Sequence, residues 1–219
     1  MQKGDLRREF TVHVMLSDQA SVEIDQLIDQ SQYPDWDWKN SDDRHITMAK
    51  LGILYPPELD KVKDVLARVA NQNKPFVMSF DSPVSFDKRM VADGRKSKKK
   101  INPQEFPFVL WMRPDPRGWT RLSGLFKNMA GCLGRAGFSY GYAPARFQAH
   151  TTVARARKDQ EQAVMDYIDT WRNWKGGDFK VEGFALREFY PRNHPAHPDN
   201  NNGQGSRFHT IKTYHLSGN

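Results

Sequence analysis

Cysteine is almost missing from this 219-residue chain. Cys132 stands alone, which excludes an internal disulfide framework and a cysteine-built zinc site. No stretch is apolar for long enough to span a bilayer, and the opening MQKGDLRREF lacks the apolar core of a secretory signal. The expected setting is therefore cytoplasmic and reducing, with no membrane partner. Low-complexity linkers are missing too, so one domain built from two lobes is expected rather than independent domains. Nor is there an acidic excess, because the formal charge is +7.

What is present suffices for a core. Hydrophobic residues make up 38% of the chain, and six Trp with thirteen Phe argue against disorder. Part of the positive charge is local. The run DKRMVADGRKSKKKINP sets Lys88, Arg89, Arg95, Lys96, Lys98, Lys99 and Lys100 against two Asp. Such a run attracts a polyanion such as RNA in a salt-dependent way, and it also suits a solvated loop. Charge suggests a partner class here, not a reaction.

Apolar periodicity divides the chain into elements. A strand is expected over about Glu9 to Leu16, then a helix capped by Ser17 or Asp18 with Ala20, Ile24, Leu27 and Ile28 on one face. HITMAKLGILY reads as a strand. Pro56 and Pro57 open a second helix with Leu59, Val62, Leu66 and Val69 inward. KPFVMSFDSPVSF looks extended and the basic run follows it. FPFVLWMRP reads as a buried strand, and Leu122, Leu125, Phe126, Met129 and Leu133 stripe a helix that should stop near Gly134 or Gly137. FQAHTTVARA is a strand, KDQEQAVMDYIDTWRNW a helix, and FKVEGFALREFY and RFHTIKTYHL are closing strands around a Pro/Asn-rich loop from Pro191 to Gly205.

The two halves of this layout share a segment. HITMAK and HTTVAR both read His-x-Thr-apolar-Ala-basic, and each lies on the strand after the first helix of its half. Residues two apart on a strand face the same way, roughly 6–7 Å apart. His45 and Thr47 thus share a face, as do His150 and Thr152, while Ile46, Met48, Thr151 and Val153 point to the other side. Among seven His, roughly one His-x-Ser/Thr match is expected by chance. The third, HLS at His215, lacks the Ala-basic continuation and is accidental. If the two strands face one cleft, two imidazoles flank a site with two hydroxyls. One ring can take a proton from water while the other protonates a departing oxygen. The Thr hydroxyls can donate to phosphoryl oxygens where charge builds. The scheme requires no metal and no cofactor.

With these segments the chain resembles the 2H phosphoesterases, and within them the bacterial-type 2′-5′ RNA ligase/cyclic phosphodiesterase branch. HITM (His45, Thr47) and HTTV (His150, Thr152) fill both family motifs, and the likeness runs from about Phe10 to Leu216. It implies a bilobal, pseudo-symmetric α+β (LigT-like) fold, with two antiparallel sheets flanking a central cleft and helices outside. The lobes would come from roughly 9–86 and 105–216, with the basic loop 88–104 between them. It also implies opening of 2′,3′-cyclic phosphates on RNA or nucleotides by a monomer, with His45 and His150 as the acid/base pair. The same groups run in reverse would make a 2′-5′ RNA ligase, and a third reading is an RNA-binding module with little turnover.

Other residues carry less. His194 and His197 in HPAHP are separated by prolines, and no second pair supports a metal site. His13 and His209 are expected to be packed in their strands. Strict alternation puts Lys50 and Arg155 on the face opposite their own His, as ordinary surface charge. A bound base needs a stacking surface, for which Phe147 and Tyr190 are the candidates.

Overall fold

A computed structural model describes residues 9–28, 32–87, 108–141, 146–190 and 208–218. The basic run 88–104 lies outside the described residues, as do His194 and His197.

Strand β1 (Glu9–Met15) turns its apolar Phe10, Val12 and Val14 to the core and Thr11 and His13 to the other face. Helix α1 (Asp18–Asp25) starts where Ser17 Oγ accepts a 3.2 Å hydrogen bond from the Ala20 amide, which satisfies one of the orphan donors of the first turn. Its face of Ala20 and Ile24, with Leu27 beyond it, is buried as the stripe required. After β2 (His45–Ile53) comes α2 (Pro56–Asn71), opened by its prolines and capped by Glu58, whose carboxylate accepts from the Tyr55 amide at 2.9 Å. Strands β3 (Phe76–Met78), β4 (Phe80–Asp87) and β5 (Phe108–Pro114) lead to α3 (Pro116–Arg135), which ends just before Gly137 at φ 88°. Strand β6 (Thr151–Ala156), helix α4 (Glu161–Thr170) and strands β7 (Phe179–Val181), β8 (Gly183–Phe189) and β9 (Phe208–His215) complete the order.

The strands form an antiparallel sheet in the order β4-β5-β6-β2-β1-β8-β9, beside a small β3-β7 pair. Two blocks, β4-β5-β6 and β2-β1-β8-β9, meet through the single register pair Ile46↔Thr151. Strands cross between the halves of the sequence: β4 pairs with β5, while β8 and β9 extend the sheet from β1. Helices α2 and α3 pack on each other over the larger core, which includes Ile46, Met48, Leu66, Phe126 and Phe184. Helix α4 lies against β4 and β5, over a smaller core of Tyr33, Trp36, Leu110 and Tyr167. No helix among the described residues is long and apolar enough to cross a membrane.

Both His-Thr strands carry a bulge at the same place. Opposite β1, the partners of His13 and Val12 are Thr47 and Ala49, so Met48 is an extra residue. Opposite β5, the partners of Trp111 and Leu110 are Thr152 and Ala154, so Val153 is extra. Each bulge puts two consecutive residues into the core, Met48-Ala49 and Val153-Ala154. Alternation therefore shifts by one beyond each Thr.

Candidate active site

The seam between the two blocks is hollow. A cavity of about 480 Å³ is lined by His45, Thr47, His150 and Thr152 together, with Thr11 and His13 from β1 and Val109 and Trp111 from β5. The four residues singled out by the repeated segment thus share one cavity.

The two histidines are held alike. His45 Nδ1 lies 2.7 Å from the carbonyl oxygen of Asp43, and His150 Nδ1 lies 2.8 Å from that of Gln148. A carbonyl can only accept, so Nδ1 carries the proton of each neutral ring and Nε2 keeps its lone pair. The segment that supplies the Asp43 carbonyl is itself anchored by buried Arg44. Its guanidinium donates to the carbonyls of Lys39 and Ser21, both at 3.0 Å, and to the Asp25 carboxylate.

Three neighbours shape these rings. His13, 1% exposed, stacks on His45 with centroids 3.6 Å apart and planes 12° off parallel. Phe208 meets both rings edge-on, at 4.8 Å and 5.1 Å. Trp111 stands edge-on to His150 at 4.4 Å. Burial holds His45 down to about 4, with the charge of Arg187 adding to it. Burial likewise lowers His13 well below its ordinary value, with His45 as the next cause, and it lowers His150, where the charge of Lys50 adds a smaller push. In the free protein at neutral pH all three rings are neutral.

Lys50 and Arg155 depart from the sequence expectation. The bulges at Met48 and Val153 turn both onto the face of their own His, and both line the cavity. The Arg155 Nε is buried with no hydrogen-bond partner among the described residues. Lys50 is fixed through its amide, which donates to the Tyr140 carbonyl at 3.1 Å. Two cations therefore join two imidazoles and two hydroxyls, a set suited to an anionic group flanked by an acid and a base.

The two stacking candidates lie elsewhere. Phe147 is buried in the core, parallel to Phe126 at 4.1 Å and 3°, because the residue three before His150 faces the α3 stripe. Tyr190 is buried too, and its hydroxyl donates to Glu188 Oε2 at 2.8 Å. Neither lines the cavity, whose aromatic wall is Trp111, Phe189 and Phe208 instead. His13 is packed as expected, yet it also lines the cavity. His209 is half-buried opposite Glu188 on β9, away from it. Sequence reasoning did not single out Thr11, Phe189 or Phe208. Thr11 carries a signal, since it shares the period-two face of His13, but nothing local marks the two phenylalanines. Among the described residues no group of three His, Cys, Asp or Glu is placed to hold a metal ion.

No family model matches the chain, and no curated protein does. Solved structures match it. TT0787 of Thermus thermophilus superposes with a TM-score of 0.62 at 18% identity, over 96% of this chain and 98% of that one. E. coli LigT, solved in complex with 3′-AMP, gives a TM-score of 0.61 at 15% identity over 96% and 99%. The MHV ns2 PDE domain gives 0.53 at 12% over 83% and 99%. At such identities the likeness establishes architecture, and the chain has the LigT-like α+β fold that its paired His-Thr segments led us to expect.

Proposed function

We propose that the protein is a 2H-type phosphoesterase that opens 2′,3′-cyclic phosphates on RNA or nucleotides, by two-histidine acid/base chemistry and without a metal. The observation that carries this reading is the matched pair of anchored imidazoles, His45 and His150, facing one cavity with Thr47 and Thr152. The LigT complex with 3′-AMP supports a ribonucleotide as the ligand class. One chain supplies both histidines, so a monomer suffices.

The chemistry follows from the groups. The cyclic phosphodiester anion sits between Lys50 and Arg155, and the hydroxyls of Thr47 and Thr152 donate to its non-bridging oxygens. Its negative charge favours the protonated form of whichever imidazole it touches first. The other ring stays neutral, and its Nε2 takes a proton from the attacking water. A new P–O bond forms from that water while one ribose P–O bond breaks. The protonated imidazole passes its Nε2 proton to the departing ribose oxygen, leaving a phosphomonoester and a free hydroxyl. The two rings have then exchanged protonation states.

The test is an oligoribonucleotide ending in a 2′,3′-cyclic phosphate, incubated with and without EDTA, alone and with a 5′-hydroxyl RNA. Ring opening that survives chelator supports the reading. Loss of activity with chelator overturns the metal-free chemistry. A 2′-5′ joined product favours the ligase, and salt-sensitive binding without turnover favours the RNA-binding module.

A further inference from the structure

The catalytic cavity has a continuation that the proposed chemistry does not use. A second cavity of about 550 Å³ lies beside it and shares two of its lining residues, Trp111 and Gln148. Gln148 is also the residue whose carbonyl holds His150. The second cavity runs on to Trp119, a tryptophan left 37% exposed in the first turn of α3.

The helix start that carries Trp119 is anchored. Asp115 caps α3, its carboxylate accepting from the Gly118 amide at 2.9 Å and from the Ser79 amide at 3.1 Å. Gly118 lets the helix start press on β3, for a Cβ there would come within 2.5 Å of the Met78 Cβ. Phe147 backs the indole at 6.3 Å, with planes 29° apart. An exposed aromatic face on an anchored helix start is what a nucleobase stacks on, whatever its identity.

Polar groups complete the trough. Arg113 is exposed on the cavity face of β5, two residues beyond Trp111, and forms no ion pair among the described residues. Ser85 lines the same cavity, and its buried Oγ has no hydrogen-bond partner among the described residues. Asp81 also borders it, a carboxylate that disfavours a phosphate beside it and leaves Arg113 as the anion's partner.

We propose that this trough is a subsite for the nucleotide preceding the cyclic phosphate in a single-stranded RNA, its base stacked on Trp119 and its phosphate against Arg113. The inference rests on the phosphoesterase reading and narrows its substrate class to the end of an RNA strand rather than a free cyclic nucleotide.

The experiment compares 2′,3′-cyclic AMP with a trinucleotide ending in a 2′,3′-cyclic phosphate, using wild-type protein, Trp119→Ala, Trp119→Phe and Arg113→Ala. The trinucleotide should be the better substrate by kcat/KM. Trp119→Ala should raise its KM on the order of 10-fold or more, the range of base–aromatic stacking, and Trp119→Phe should recover most of that loss. Arg113→Ala should raise the trinucleotide KM and flatten its dependence on salt. The cyclic nucleotide should be turned over alike by all four proteins. Equal effects on both substrates in Trp119→Ala and Arg113→Ala, or no effect on either, overturn the subsite while the phosphoesterase reading stands. Wild-type protein that opens neither substrate overturns that reading, and the subsite with it.

Discussion

Two imidazoles stacked 3.6 Å apart, His13 on His45, cannot both hold a proton without strong repulsion, and burial already disfavours either charge. His45 sits at about 4, so it is neutral through the whole range above that. If His45 serves as base and His150 as acid, kcat/KM, which reports the free enzyme, should rise as pH falls from neutrality and protonates His150, and should turn down only as His45 protonates near pH 4. An acidic limb at or above about pH 6.5, the ordinary histidine value, would contradict this. His13 has a consequence for stability. Its folded value lies below the unfolded value of about 6.5. The unfolded chain therefore binds more protons there. The stabilisation is full above about pH 6.5 and is lost as pH falls through the folded value. His13→Phe keeps a ring against His45 and removes the titration. Its Tm should drop less between about pH 7 and pH 5 than that of the wild type, and an equal drop would show that His13 does not contribute.

Strands set which residues reach the cavity, and here the sequence is legible only in part. The face shared by His45 and Thr47, or by His150 and Thr152, follows from alternation and needs no partner strand. The bulges at Met48 and Val153 arise in pairing with β1 and β5. Nothing in HITMAK or HTTVAR alone shows that the next residues repeat an inward position, so alternation sets Lys50 and Arg155 on the wrong face. Phe147 is misplaced for a related reason: its neighbour is Phe126 on α3, a distant contact that no local period reveals. The loop before the second His-Thr strand also bears on Lys50. Gly141 has φ 80°, and a Cβ there would stand 2.8 Å from the Lys50 Cβ and 3.1 Å from its carbonyl oxygen. Gly141→Ala should cost roughly 1–2 kcal/mol in denaturant titration and raise KM by displacing Lys50. Gly124→Ala, in open space on α3, should be neutral or stabilising. Equal stability for the two variants would mean that the loop adapts without strain.

At the scale of the whole molecule, the cavity exists because two sheet blocks touch at one register pair, Ile46↔Thr151, and part beyond it. That seam lets side chains far apart in the sequence line one cavity. The duplicated order of elements was readable from hydrophobic periodicity, and so was the bilobal α+β class. The exchange of β4, β8 and β9 between the halves was not, because strand pairing is non-local and each of these strands would satisfy the same pattern on either side. In the proposed reaction His45 and His150 act as one acid/base unit across this seam. A double-mutant cycle on ring opening of a cyclic-phosphate RNA end tests it most directly, with kcat measured for His45→Ala, His150→Ala and the pair. Each single change should lower kcat by roughly 10²–10⁴-fold, and the double variant should be little worse than the poorer single one. Additive losses, or a single variant with wild-type kcat, would contradict it.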